Sequence, residues 1–173
     1  MRSDAAGWAL IGYSAGGYCA TDLLLRHPGR YAAAASFSGI AHTRLSPEVT
    51  RDYLGLVSSH SASGSAPWGD PAADAATWAR HNPYDLVPAL RGTPLFVSAG
   101  DGRPGPLDPP GTAVDEIEAS IGAQNRALAQ RLRAEGVDAQ VDLYGAGTHS
   151  WVYWQRELHA AWPLLAAGLG LGS

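Results

Sequence analysis

Ser14 stands in the run Trp8-Ala-Leu-Ile-Gly12-Tyr-Ser14-Ala-Gly16-Gly17. A short apolar stretch leads into a Gly-x-Ser-x-Gly turn, and a helical pattern leads out. A turn of that kind holds a serine at a strained tip with its hydroxyl exposed for attack. The pattern alone is weak, since a chain with 21 glycines and many serines yields about 0.2 chance matches at this length. Context strengthens it. Strand and helix backbones approach closely at such a turn, so small residues are needed at positions 12 and 16, and both are glycine. The bland alternative is a strand–helix turn carrying an idle serine.

A serine hydroxyl attacks well only when a base takes its proton. Of the six histidines, His27 adjoins Pro28 at a helix end and is expected at the surface. His42, His60 and His81 fall in an irregular region, and His159 falls in the last helical pattern, where it is expected to be solvated. His149 differs, because it lies in Gly145-Ala-Gly147-Thr-His149-Ser-Trp151, between the last strand and the last helix. In the chain order serine, acid, histidine, the base belongs there. The alternative role for His149 is to cap that helix.

The acid must hold one imidazole nitrogen and stabilise the imidazolium. Asp101 directly follows a strand and is favoured by spacing alone, although Gly100-Asp101-Gly102 also reads as a turn. Glu118 comes later, with Asp115 and Glu116 close by, and an exposed charge near a helix N-terminus is its plain reading. The acidic cluster lacks the spacing of a hard-cation site, and no metal or cofactor is expected.

Four apolar runs are expected to form the strands that position these residues: Trp8–Ile11, Ala33–Phe37, Leu95–Ser98 and Ala139–Leu143. Between them Ala15–Arg26 reads as a helix ended by His27-Pro28-Gly29, and Asn125–Glu135 as a helix ended by Gly136. Trp151–Ala167 reads as a last helix interrupted or kinked at Pro163. Alternating strands and helices predict an α/β fold with a mainly parallel sheet of about four strands. Residues 40–92 break that rhythm with the Ser/Gly stretch Ser58–Ser65 and with Pro67, Gly69 and Pro71. They are expected to form an irregular insertion, either a lid or substrate wall or an idle surface excursion, with short helices at Thr77–Arg80 and Tyr84–Leu90.

The 173 residues fit one domain with a sizeable core, and a hydrophobic content of 46% argues against global disorder. A net charge of −4 provides no basic footprint for nucleic acid. The lone Cys19 excludes an internal disulfide and a cysteine metal cluster, and is expected to be a small buried hydrophobe in the first helix. No run reaches the roughly 18 apolar residues of a membrane span. Arg2, Ser3 and Asp4 interrupt any secretory apolar core, so the product as encoded is expected to be soluble, with its compartment open.

Several strings together resemble one family. Gly12-Tyr-Ser14-Ala-Gly16-Gly17, His27-Pro28, Phe37-Ser38-Gly39, Leu95-Phe-Val-Ser-Ala-Gly100 and above all Gly147-Thr-His149-Ser-Trp151-Val-Tyr153-Trp154 look like the esterase family of α/β-hydrolases that includes the antigen 85 mycolyltransferases. The likeness covers nearly the whole chain but only the C-terminal part of the family's domain. It implies Ser14 as nucleophile, His149 as base and Ala15 N–H as one oxyanion donor. It moves the acid from Asp101 to Glu118, because the family's glutamate precedes a helical asparagine by seven residues, as Glu118 precedes Asn125. It also implies that Trp151 packs beside a substrate site. The implied function is a serine hydrolase acting on a small-molecule or lipid ester. Acyl transfer to a sugar is one alternative, and a silent, truncated domain is another.

The family's upstream half-sheet, with its second oxyanion donor, does not match anything here. Trp8–Ile11 is therefore expected to be an exposed apolar edge, prone to self-association. Met1 is expected to be a late or misassigned start, or the gene a remnant. Relatives are often exported, which leaves localisation unassigned.

Overall fold

A computed structural model describes residues 7–60, 67–90 and 92–171, apart from the side chain of His60. Part of the predicted Ser/Gly stretch, residues 61–65, lies outside the described residues.

Four strands form one parallel sheet: β1 (Ala9–Tyr13), β2 (Ala33–Phe37), β3 (Leu95–Gly100) and β4 (Gln140–Gly145). Their spatial order follows the chain order, so β2 and β3 are internal and β1 and β4 are the edges. The internal strands are buried along their whole length, which explains why both read as unbroken small and apolar runs. Alternation within them divides the core in two. Ala34, Leu95 and Val97 face one side and pack with Leu24, Leu25, Leu128 and Leu132. Ala33, Ala35, Phe37 and Phe96 face the other and pack with Trp154, Ala161 and Leu165.

The first side is covered by α1 (Ala15–Arg26) and α5 (Glu116–Ala134), the second by α6 (Trp151–Gly168). The helix expected over Asn125–Glu135 thus begins nine residues earlier, since Asp115 caps it by accepting a bond from Glu118 N–H. α6 continues through Pro163 rather than breaking there. The proline leaves the carbonyl four residues back without its helical bond, here that of His159, which is exposed. Cys19 is exposed, contrary to its expected burial. The buried face of α1 runs through Gly17, Ala20, Thr21, Leu24 and Leu25, and Cys19 lies off that stripe.

The 40–92 excursion is more regular than its composition implies. It carries α2 (Pro47–His60), α3 (Ala75–Ala79), α4 (Pro83–Leu86) and a single 3-10 turn, Val87–Ala89. Ile40, Tyr53 and Trp78 form its core, with Tyr18 of α1 and Trp68 packed on them. The Tyr53 and Trp68 rings stack at 5.3 Å, and Trp78 meets Trp68 edge-on at 5.1 Å. The buried Asn82 accepts the Thr43 N–H, tying the two ends of the excursion together.

Candidate active site

Ser14 follows β1 directly and precedes the first residue of α1. Its backbone has φ 53°, the left-handed region that a serine rarely adopts. Such a residue costs of order 1–3 kcal/mol and is retained only where the surroundings fix it. Here the Ser14 N–H donates to the Phe37 carbonyl at 3.0 Å, and glycines close the turn. A Cβ on Gly12 would run into the Gly16 carbonyl. One on Gly17 would lie 2.8 Å from Gly39 Cα. Ala15 opens α1, so its N–H lies at the helix N-terminus, where negative charge is favoured.

His149 lies in the turn between β4 and α6. Its Nδ1 is 2.7 Å from Glu118 Oε2. Glu118 is fully buried, and its other oxygen accepts from Ser38 Oγ at 2.8 Å, Gly100 N at 2.6 Å and Tyr144 OH at 3.4 Å. A carboxylate has acceptors only, so a hydrogen on Nδ1 satisfies this contact and in a neutral ring leaves Nε2 as the acceptor. Burial pushes the Tyr144 phenol well above its usual range, and the Glu118 charge adds to the shift. Tyr144 thus stays a donor. Ser38, also left-handed at φ 45°, accepts from Trp154 Nε1 at 3.1 Å while it donates to Glu118. The Trp154 ring meets the imidazole edge-on at 4.9 Å.

Ser14 and His149 line one cavity of about 440 Å³, whose apolar lining is Ile40, Val49, Tyr53 and Leu56 together with Ile117 and Ile121, and whose polar lining includes Asp52, Glu116, Ser120 and Gln124. Val49, Tyr53 and Leu56 belong to α2, so the excursion contributes a side of the cavity. A second, open groove of about 890 Å³ lies between the β1 edge and α6 and also reaches Ser14. Trp151 lines that groove, is 64% exposed and packs on Tyr13 at 4.4 Å.

Asp101 is not brought to the histidine. Its carboxylate accepts Arg103 Nη2 at 2.6 Å and the Arg103 backbone N–H at 3.0 Å, a short exposed turn. This interaction holds its carboxyl below the usual range. Among the described side chains, the other histidines are also elsewhere. His27 and His159 are exposed, His42 stacks on Tyr84 at 4.0 Å, and His81 stacks on Trp68 at 4.9 Å. Among the described residues no group of three or more His, Cys, Asp or Glu is placed to hold a metal ion. No helix among them is long and apolar enough to cross a membrane.

Sequence reasoning missed Ser38, Tyr144 and Trp154, whose roles arise only when β2, β4 and α6 converge on Glu118. It also missed Asp115, for which a signal existed. Asp115-Glu-Ile-Glu118 has the spacing of a capping box. In that box the second acid bonds back to the cap's own N–H. Here the Asp115 N–H goes to the Gly102 carbonyl instead, and Glu118 is free to face His149.

Residues 1–165 match the family described as "Putative esterase". Diacylglycerol acyltransferase/mycolyltransferase Ag85B of Mycobacterium intracellulare is 32% identical over 172 residues, which cover 96% of this chain and 51% of that protein. The Ag85B of Mycolicibacterium smegmatis is 32% identical over 173 residues, 96% of this chain and 52% of that one. The chain therefore spans about half the length of these curated relatives. Mycobacterium tuberculosis MPT51 superposes with a TM-score of 0.71 at 24% identity, over 94% of this chain and 60% of that one. A ferulic acid esterase superposes with a TM-score of 0.56 at 18% identity, over 96% and 53%. At these identities the two structures speak to the α/β fold alone.

Proposed function

Because the chain belongs to the esterase family, we propose that it carries the nucleophile, base and acid of a serine esterase. The observation that supports this most is the 2.7 Å pairing of His149 with the buried Glu118 on a cavity shared with Ser14. In this reading Ser14 Oγ attacks an ester carbonyl while His149 Nε2 takes its proton. The carbonyl oxygen becomes an oxyanion and meets the Ala15 N–H. The C–O bond to the alcohol then breaks, and the imidazolium returns the proton to the departing alkoxide. Water repeats the sequence on the acyl-enzyme, releasing the acid and restoring Ser14. Glu118 keeps the imidazole in the working tautomer and stabilises its charge. The apolar walls of the 440 Å³ cavity suit the acyl group of a small-molecule or lipid ester.

The names of the relatives favour a second reading of the deacylation step, in which an alcohol and not water accepts the acyl group. Rates of hydrolysis and of transfer to an added alcohol separate the two. The esterase reading expects hydrolysis to dominate when both acceptors are present.

We take residues 1–173 as one part of an α/β-hydrolase domain. Two observations support this: the span of about half the relatives' length and the open β1 edge, where Ile11 and Tyr13 are half exposed. That edge suits pairing with a further strand, and in the isolated chain it favours self-association. A catalytically silent domain is the competing reading. Fluorophosphonate labelling decides between them. The esterase reading expects adduct on Ser14, none in Ser14→Ala and far less in His149→Ala. Equal labelling of the parent chain and His149→Ala overturns the triad, and no labelling of a folded parent chain favours the silent domain.

A further inference from the structure

We propose that Asp115 is a positioning residue for the proposed base, its one carboxylate tying the start of the Glu118 helix to the backbone of His149. The inference rests on the triad reading above. Asp115 Oδ1 accepts the Glu118 N–H at 3.0 Å, the ordinary bond of a helix cap. A cap needs no more than that. The other oxygen, Oδ2, accepts the His149 N–H at 2.9 Å, from a residue 34 positions further along the chain. The two residues joined through Nδ1 and Oε2 are thus also joined through their main chains, by the two oxygens of a third side chain.

The rest of Asp115 is held as firmly. Its N–H donates to the Gly102 carbonyl at 2.8 Å, and its own carbonyl accepts from Ala119 N at 3.0 Å. Gly102 in turn donates to the Gly147 carbonyl at 3.1 Å, two residues before the histidine. A closed ring results, running Gly102, Asp115, His149, Gly147 and back to Gly102. Gly102 has φ +83°, and a Cβ there would strike the Asp115 carbonyl, so the ring admits only glycine at that point. The imidazole of a turn residue would otherwise be free to swing away from an acid carried on a different element. The ring holds the two main chains in one relation, which is what a catalytic pair separated by a single hydrogen bond requires.

Asn and Ser at position 115 separate the two roles. Either residue caps a helix about as well as aspartate. Neither offers two acceptor oxygens in the carboxylate geometry, and an asparagine bonded to Glu118 N–H would turn its own NH2 toward the His149 N–H. The test compares the parent chain with D115N, D115S and D115A by proton NMR of the Nδ1–H shared with Glu118, assigned by its loss in H149A. Fluorophosphonate labelling and thermal unfolding accompany it. The expected result for D115N and D115S is an unfolding midpoint above that of D115A, an exchange-broadened Nδ1 proton and labelling slowed about tenfold. D115A should show the same broadening and a lower midpoint. A D115N or D115S protein with the parent's sharp Nδ1 signal and labelling rate makes Asp115 a cap only and overturns the proposal. A parent chain without any low-field Nδ1 proton overturns the His149–Glu118 pairing itself, and this inference with it. Where the parent shows the proton but takes no label, the proton signal alone decides.

Discussion

Replacing Glu118 by glutamine keeps its size and removes its charge, so the outcome follows from counting donors. Four donors converge on the two oxygens: Ser38 Oγ, Gly100 N, Tyr144 OH and His149 Nδ1. A glutamine offers one oxygen and one NH2. If the NH2 faces His149, the ring must present a bare Nδ1 and carry its proton on Nε2, where it can no longer act as a base. The corresponding acid-to-amide exchange in serine proteases costs about 10⁴-fold in turnover. If the NH2 faces the other way, the Ser38 hydroxyl can rotate and accept, but the Gly100 N–H cannot. A buried donor is then left unpaired, at about 1–3 kcal/mol. For a chain of this length that is a fall of about 2–12 °C in unfolding midpoint. The expected result for E118Q is therefore a slowing of fluorophosphonate labelling by about 10³–10⁴ in the first orientation, or a clear loss of thermal stability in the second. Mass spectrometry of the Ser14 adduct over time and a calorimetric melt read the two effects separately. An E118Q protein that labels within tenfold of the parent and melts at the same temperature refutes the donor count and the role given to Glu118.

Three further outcomes are expected. Asp101→Ala should leave labelling within about twofold and the midpoint nearly unchanged, because the carboxylate serves an exposed pairing with Arg103; a hundredfold loss would return the acid role to Asp101. Gly12→Ala should destabilise the elbow by at least the 1–3 kcal/mol typical of overpacking, since the new Cβ meets the main chain of Gly16 and not a movable side chain; chemical denaturation measures it, and an unchanged midpoint contradicts the close approach. Trp78→Ala should cost about 3–5 kcal/mol by the same measurement, since the ring is wholly buried and its Nε1 donates to the Gly69 carbonyl.

Elements whose local pattern and tertiary setting agree were legible in the sequence. The bounds of α1 and β2 match their predicted spans because His27-Pro28 and a run of small and apolar residues mark them without help from the rest of the fold. The helix α2 was not legible. Thr50, Gly55, Ser58 and Ser59 lower its intrinsic propensity, and burial of Tyr53 among Ile40 and Trp78 outweighs them. The Ser46-Pro47 pair was a usable start signal, a capping serine before a first-turn proline. At the candidate site, Ser14 and His149 stand out because turn chemistry surrounds each of them. Spacing alone favoured Asp101, which ends its strand in the expected place. The geometry pairs Glu118 with His149 instead, because a glutamate at the third position of a capped helix reaches back over the end of β3, where Gly100 meets it. That relation depends on where the helix begins, and the periodicity of its later turns conceals the start.

The excursion that walls the 440 Å³ cavity keeps an aromatic nucleus of its own, apart from the two clusters that sandwich the sheet. The α2 wall thus rests on a different foundation from the proposed base and acid, whereas Ile117 and Ile121 share α5 with Glu118. Mutational drift in Val49 or Leu56 can reshape what fits beside Ser14 without disturbing the imidazole's support. Under the proposed esterase reading, selection for a new acyl length can therefore act through α2 while reactivity is kept elsewhere in the scaffold.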